Sequence, residues 1–220
     1  MANTVLLATH NGVFHADEVL ATVIMSHWAN AQGRDIKVTR TRDMSKLVPE
    51  TIIYDVGGGA FDHHQPSGNG CRENGVPYAS AGLILGEFGI GAIRDILPDT
   101  DVDTRKIIMA KLDDEMVSGI DGIDNGVPLD PAYRVMTISN IISQMNPDWD
   151  DETTSDEAFW NAVELMDGIF VTKVRSIGSR LKAEELVEEA FIAMEDHIML
   201  LPCFCPWDKT LLNLDTGAEC

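Results

Sequence analysis

The sequence predicts an α/β fold: a parallel β-sheet flanked by helices, followed by a mostly helical C-terminal region. Three observations predict it. Short apolar runs at residues 4–9, 36–41 and 51–56 are rich in β-branched residues and have strand length. A helical apolar pattern lies between the first run and the second, so the order is strand, helix, strand, short connection, strand. Beyond Gly126-Val127-Pro128 the chain changes to helical patterns.

The run at 4–9 reads as a buried strand that stops at the turn signal His10-Asn11-Gly12. Residues 15–31 read as a helix, with Val19, Leu20, Val23 and Ile24 as its apolar stripe. Residues 36–41 alternate as a half-covered strand does, and 51–56 form a third strand stopped by Gly57-Gly58-Gly59. Ligands of parallel sheets gather at the carboxyl ends of strands. His10 follows the first strand and Asp55 ends the third. The Gly- and Asn-rich stretch 57–79 is a long loop, and such loops in compact domains are functional or disordered. A helix is expected over 80–89, with Ser80 as N-cap and Gly89 as its stop, and another from Asp101 or Asp103 to about Gly119. Helical patterns run over 131–145 and 155–196 across a polar break at 146–154, and 198–201 is the one further strand candidate. The expected division is a metal-binding α/β domain at 1–127 and a helical C-terminal region at 128–220.

At 220 residues the chain can bury a proper core. Its net charge of −20 excludes indiscriminate binding to long duplex nucleic acid, which rests on phosphate neutralisation by Lys and Arg. A metal site inverts the local sign, so a small phosphate-bearing substrate stays allowed. Cys71, Cys203, Cys205 and Cys220 lack metal-site spacing and read as idle thiols of a reducing, cytoplasmic compartment. Neither a signal peptide nor a membrane span is expected. A homodimer is left open.

The chemistry concentrates in His10, His15 and Asp17, then Asp55, then Asp62-His63-His64, with Asp121 and Asp124 beyond. Imidazoles and carboxylates without cysteine suit Mn²⁺ or a similar divalent ion better than structural zinc. More ligands than one ion needs point to two metals and to phosphoester hydrolysis. Plainer readings compete. Asp17 and Glu18 also suit the positive end of a helix dipole, and for Glu18 that reading is favoured. His27 reads as a packed or surface histidine. Adjacent histidines on an extended backbone point in different directions, so His63 and His64 need not share a role.

The chain resembles the Myg-type (melanocyte proliferating gene) family, assigned to the DHH phosphoesterase superfamily. The likeness runs through Thr9-His10-Asn11-Gly12-Val13-Phe14-His15-Ala16-Asp17-Glu18, Thr39-Arg40-Thr41-Arg42-Asp43, Asp55-Val56-Gly57-Gly58 and Phe61-Asp62-His63-His64-Gln65. It continues through residues 72–83, Ile120-Asp121-Gly122-Ile123-Asp124-Asn125-Gly126 and Phe204-Cys205-Pro206-Trp207. The resemblance implies a DHH-like parallel-sheet domain with a divalent-metal site, 3′–5′ RNA exonuclease activity, and His10, His15, Asp17, Asp55, His63 and one of Asp121 or Asp124 as ligands. His15 stands where the superfamily commonly has Asp. The helical region is expected to be shorter than in family relatives, which continue into a Gly-rich substrate-binding stretch.

The expected mechanism is two-metal hydrolysis of short RNA or small nucleotides, with Mn²⁺ favoured and Mg²⁺ allowed. Asp17, Asp55 and Asp124 hold the cations, and His64 contacts the scissile phosphate. Arg40, Arg42 and Arg72 are candidate phosphate clamps, with surface ion pairs as the alternative. Ser80 is a phosphate contact through a helix N-terminus, or only a cap. Two alternatives remain: a non-catalytic nucleotide- or protein-binding member of the fold, and a pyrophosphatase or cyclic-dinucleotide hydrolase.

Overall fold

Leu7, Ala8 and Thr9 are fully buried, and the strand that carries them, β1 (Thr4–Thr9), is the centre of a parallel sheet. This is seen in a computed structural model that describes residues 3–65, 68–129, 132–196 and 198–216. β2 (Asp35–Arg40) pairs along the whole of β1 on one side, with Val5 opposite Ile36. β3 (Ile52–Ile53) pairs on the other, with Leu7 opposite Ile52. Parallel strands covered on both faces read as continuous apolar runs, as β1 does, whereas the edge strand β2 alternates. The third strand is shorter than the 51–56 expected. Tyr54 N–H still donates to Ala8 O (3.0 Å), but Asp55 takes a φ of 57° and turns the chain out of the ladder.

α1 (Ala16–Asn30) is buried at every residue from Ala16 to Met25. The expected four-residue stripe is therefore only part of its buried surface, as befits a helix covered on all sides. α2 (Ser80–Ile96) does not stop at Gly89. That glycine is a packing site: a Cβ there would meet Leu85 Cδ1 at 2.8 Å and Met109 Sδ at 3.0 Å. Ser80 is the first helical residue and Ala79 the N-cap, a correction to the expected cap.

α3 (Val102–Leu112) runs through a π-helical stretch (Asp113–Val117) into α4 (Ser118–Asp124) without a break. The helix thus continues past Gly119, and Asp121 and Asp124 share one face of its last turn, three residues apart. α5 is only Ile138–Ser143, started by Thr137, whose Oγ1 accepts from Asn140 N (3.2 Å). The expected start of this helix at Pro131 lies outside the described residues. α6 (Ser155–Ile192) and α7 (Asp208–Thr216) complete the order. α7 was not expected, and residues 198–201 form no strand but one isolated bridge, Glu195 to Ile198.

One hydrophobic cluster takes residues from both sides of residue 128: Leu20 and Ile24 of α1 lie in it with Phe159, Met166 and Phe170 of α6. Phe14 meets Phe159 edge-on at 5.8 Å between centroids. Losing a buried Phe costs about 3–5 kcal/mol, so this half of α6 is integral to the α/β core. Farther along, Ala183 and Val187 pack with Cys205 in a second cluster. Among the described residues no helix is long and apolar enough to cross a membrane.

Two glycines of α2 separate packing from propensity. A Cβ at Gly91 would lie 2.6 Å from Trp28 Cδ1, whereas one at Gly86 meets nothing within 4 Å. In chemical denaturation, Gly86→Ala should raise stability by about 0.5–1 kcal/mol and Gly91→Ala should lower it by about 1–3 kcal/mol.

Candidate metal centre

Four elements bring carboxylates and an imidazole to the carboxyl edge of the sheet. His10 and Asp55 leave β1 and β3, Asp17 and Glu18 occupy the first turn of α1, and Asp121 and Asp124 the last turn of α4. The N-terminus of α2 meets them. Ser80 N–H donates to Asp17 Oδ2 (3.0 Å), Ala81 N–H to Asp17 Oδ1 (2.6 Å) and Gly82 N–H to Asp121 Oδ1 (3.2 Å). The first three amides of α2 are thus capped by carboxylates from two other helices, and the helix dipole favours their charge.

Capping does not offset the crowding. Asp17 is fully buried, and burial, then repulsion from Asp55, Asp124 and Asp121, push its carboxyl well above the ordinary carboxylate range. Burial, then Asp55, also raises Asp124. Asp121 is raised by burial although Arg72 opposes it.

His10 is buried between carboxylates, its Nε2 3.1 Å from Asp55 Oδ2 and 3.1 Å from Glu18 Oε1. Burial lowers its pKa, but the bonds to Asp55 and Glu18 win and raise it to about 10. The exposed ring of His15 lies 6.0 Å from that of His10. His63 Nε2 lies 3.2 Å from Asp124 Oδ2 and 3.5 Å from Asp55 Oδ1. His64 is exposed, with Nδ1 2.9 Å from Asp62 Oδ1. Asp62 is buried, yet Gly58 N–H (2.6 Å) and the His64 backbone and ring hold its carboxyl below the ordinary range. A cleft of about 360 Å³ opens here, lined by His15, His64, Asp124, Ser139, Asn140 and Ser143 among others.

The arginines divide. Arg40 spans from β2 to the start of α6, donating to Asp156 Oδ1 (2.8 Å), Ser155 O (2.9 Å) and Gly12 O (2.7 Å). Its guanidinium stacks over Phe159 at 4.5 Å. Arg72 is buried, forked onto Asp113 (2.7 and 2.6 Å) and bonded to Asp121 Oδ2 (2.8 Å). Both guanidiniums are held by partners inside the fold, the ion-pair alternative for Arg40 and Arg72, although the buried Arg40 Nε has no hydrogen-bond partner. Arg42 is exposed, bonded to Asn11 O and 3.3 Å from His10 Nδ1. Ser80 is buried, its Oγ 3.4 Å from Asp55 Oδ1, so the structure does not bring it to the cleft surface.

Sequence reasoning favours a cap for Glu18 and assigns no separate role to Asp62 or Asn146. Glu18 is fully buried, and both its oxygens accept from His15 N (3.0 Å each) while one faces His10. The available signal was its place three residues after His15, which capping and ligation share. Asp62 orients His64. Asn146 holds the loop between His10 and His15: Phe14 N–H donates to Asn146 Oδ1 (2.9 Å), and Asn146 Nδ2 donates to Phe14 O (2.8 Å).

The donor set fits divalent cations. Ligand atoms of His10, His15 and Glu18, of Asp55, His63 and His64, and of Asp17, His63 and Asp124 lie within 4.8 Å of one another in each group. His64 enters one of these groups, and Asp121, engaged by Arg72 and Gly82, enters none. His63 Nδ1 is buried without a hydrogen-bond partner. Uncompensated buried carboxylates are costly, and a divalent ion is the compensation that His and Asp together provide.

The chain matches the family model MYG1_exonuc (uncharacterised protein family UPF0160) over residues 6–220. It is 33% identical to the MYG1 protein of Saccharomyces cerevisiae, over 95% of this chain and 70% of that protein. The MYG1 protein of Schizosaccharomyces pombe is also 33% identical, over 98% and 72%. The MYG1 exonuclease of Homo sapiens is 31% identical, over 96% of this chain and 63% of its own length. No solved structure matches the chain.

The raised groups predict how cation binding depends on pH. Asp17 and Asp124 bind more protons folded than unfolded, so the cation-free protein loses stability as pH climbs from the ordinary carboxylate value of 3.8 through their raised values. The His10 proton stabilises fully below 6.5, and that contribution is lost as pH passes about 10. At pH 7 His10 is therefore protonated, and a cation at its Nε2 must displace that proton. Calorimetry with Mn²⁺ in buffers of different ionisation enthalpy should show about one or more protons released per chain. Thermal stabilisation by Mn²⁺ should be larger at pH 7.5 than at pH 5.

Proposed function

This chain belongs to the MYG1 family, and from that premise we propose a divalent-metal-dependent phosphoesterase of the DHH kind that hydrolyses phosphodiester bonds of short RNA or small nucleotides. The observation that carries this reading is the convergence of Asp17, Asp55 and Asp124 on His63 at the edge of one cleft. The name of the human relative, MYG1 exonuclease, supports a nuclease reaction.

His10, His15, Asp17, Glu18, Asp55, His63 and Asp124 would hold two divalent ions, preferably Mn²⁺, which would supply Lewis-acid charge and activate water at neutral pH. Asp124 is the ligand of the α4 pair, because it faces His63 while Asp121 is engaged on both oxygens. Asp121 is a positioning residue, tied to the N-terminus of α2 and to Arg72. His64 stands exposed at the cleft with Nδ1 fixed by Asp62. It contacts the scissile phosphate and gives a proton to the leaving oxygen. Arg42, beside His10, meets the phosphate charge.

Separable variants test the roles. Asp55→Asn should weaken Mn²⁺ binding at least about tenfold and abolish turnover of a short RNA. His64→Ala should keep Mn²⁺ affinity within about twofold and lower kcat by about 100-fold. If His64→Ala loses the metal, it is a ligand; if no phosphodiester is turned over with Mn²⁺ bound, the function is wrong.

Substrate length is the second measurement. A chain of net charge −20 has little long-range attraction for a polyanion. Rates at fixed Mn²⁺ should favour RNAs of a few nucleotides over long duplexes, with a shallow salt dependence. Faster cleavage of long RNA with a steep fall in affinity as salt rises would contradict this.

A further inference from the structure

The cleft does not end at the acid cluster. Asn140 and Ser143, on α5, line both it and a cavity of about 590 Å³ whose other walls are Arg134, Val135, Met136 and Gln144. Both spaces border Asn140 and Ser143 of α5. Asn140 Oδ1 is occupied by Thr137 N–H (3.0 Å) and Oγ1 (2.9 Å), so its Nδ2 remains as a donor. Ser139 Oγ, in the cleft wall, is buried without a hydrogen-bond partner. Arg134 is exposed and has no ion-pair partner among the described residues. Arg134 is the guanidinium in the walls of these two spaces.

We propose that this face of α5 is an oligonucleotide subsite, in which Arg134 with Asn140, Ser143 and Gln144 holds the phosphodiester next to the scissile one. It deepens the phosphoesterase reading and rests on it. A guanidinium in a cavity whose walls also carry Asn140, Ser143 and Gln144 suits a backbone phosphate and does not read the base. The position matters because the cleft itself is lined by carboxylate, and a second phosphate needs a cation away from it. The site therefore selects substrates with at least two phosphates in a chain and gives a mononucleotide only half of its contacts.

Equilibrium binding tests this independently of turnover. A fluorescent, phosphorothioate-linked ribotrinucleotide and the matching mononucleotide are titrated into the full chain with Mn²⁺. Hydrolysis of a bis-aryl phosphodiester, which has no second phosphate, is followed in parallel. The parent should bind the trinucleotide about tenfold or more tighter than the mononucleotide. Arg134→Ala should remove most of that difference, Arg134→Lys should restore part of it, and neither should change aryl ester hydrolysis. Arg94→Ala is the charge control, because Arg94 sits about 21 Å along α2 from Ser80. Equal binding of the two ligands, or equal losses from Arg94→Ala and Arg134→Ala, would overturn the subsite. Length-dependent binding through Arg134 without hydrolysis of any phosphodiester would uphold it and refute the phosphoesterase reading.

Discussion

The backbone amides that open α2 are bonded to side-chain carboxylates from α1 and α4, and most of the structure depends on that contact. Asp17 takes Ser80 and Ala81, and Asp121 takes Gly82. The contact fixes α2 against α1 and brings the end of α4 to the carboxyl edge of the sheet. It also explains why position 82 is glycine: a Cβ there would collide with Asp121 Oδ2 and lie 2.7 Å from Arg72 Nη2. The helix gives up about 1 kcal/mol of propensity at such a position, less than the cost of leaving a buried carboxylate unbonded.

That arrangement gathers more negative charge than the protein can neutralise from within. Arg72 serves Asp121 and Asp113, and the proton on His10 serves Asp55 and Glu18. Asp17 has no cation bonded to it among the described residues and Asp124 has only imidazoles near it, and their carboxyls are raised. The π-helical stretch lies between the Arg72 staple at Asp113 and the acid turn of α4. Within it Glu115 bonds Lys173 and Arg180 (2.7 Å each), tying that stretch to α6. The acid turn is therefore held from three sides, and a cation rather than a rearrangement is the economical answer to its charge.

Much of the fold was legible in the sequence. The strand at 4–9 and the helix after it were readable because an uninterrupted apolar run and a 3.6-residue period are local properties. The errors arose where tertiary contact overrides local preference. Gly89 reads as a stop, yet Met109 and Leu85 need its missing side chain. The third strand shrinks because Asp55 adopts a left-handed backbone, which no residue pattern announces. At the site, residue types and strand ends were readable, and the partners were not. Arg40 and Arg72 look the same as Arg42 in sequence, and only the placement of Asp156 and Asp113 separates them. Asp121 and Asp124 likewise differ only in what lies beside them, and Glu18 reads as a cap because it is one as well.

The central claim is that the capped carboxylates and His63 form a cation site. Anomalous diffraction from crystals grown with Mn²⁺ tests it most directly. The account predicts one or two peaks within bonding distance of Asp17, Asp55, His63 and Asp124, with Asp121 still bonded to Arg72. Manganese bound only at surface carboxylates, with His10 still between Asp55 and Glu18 and no peak in the cluster, would contradict it.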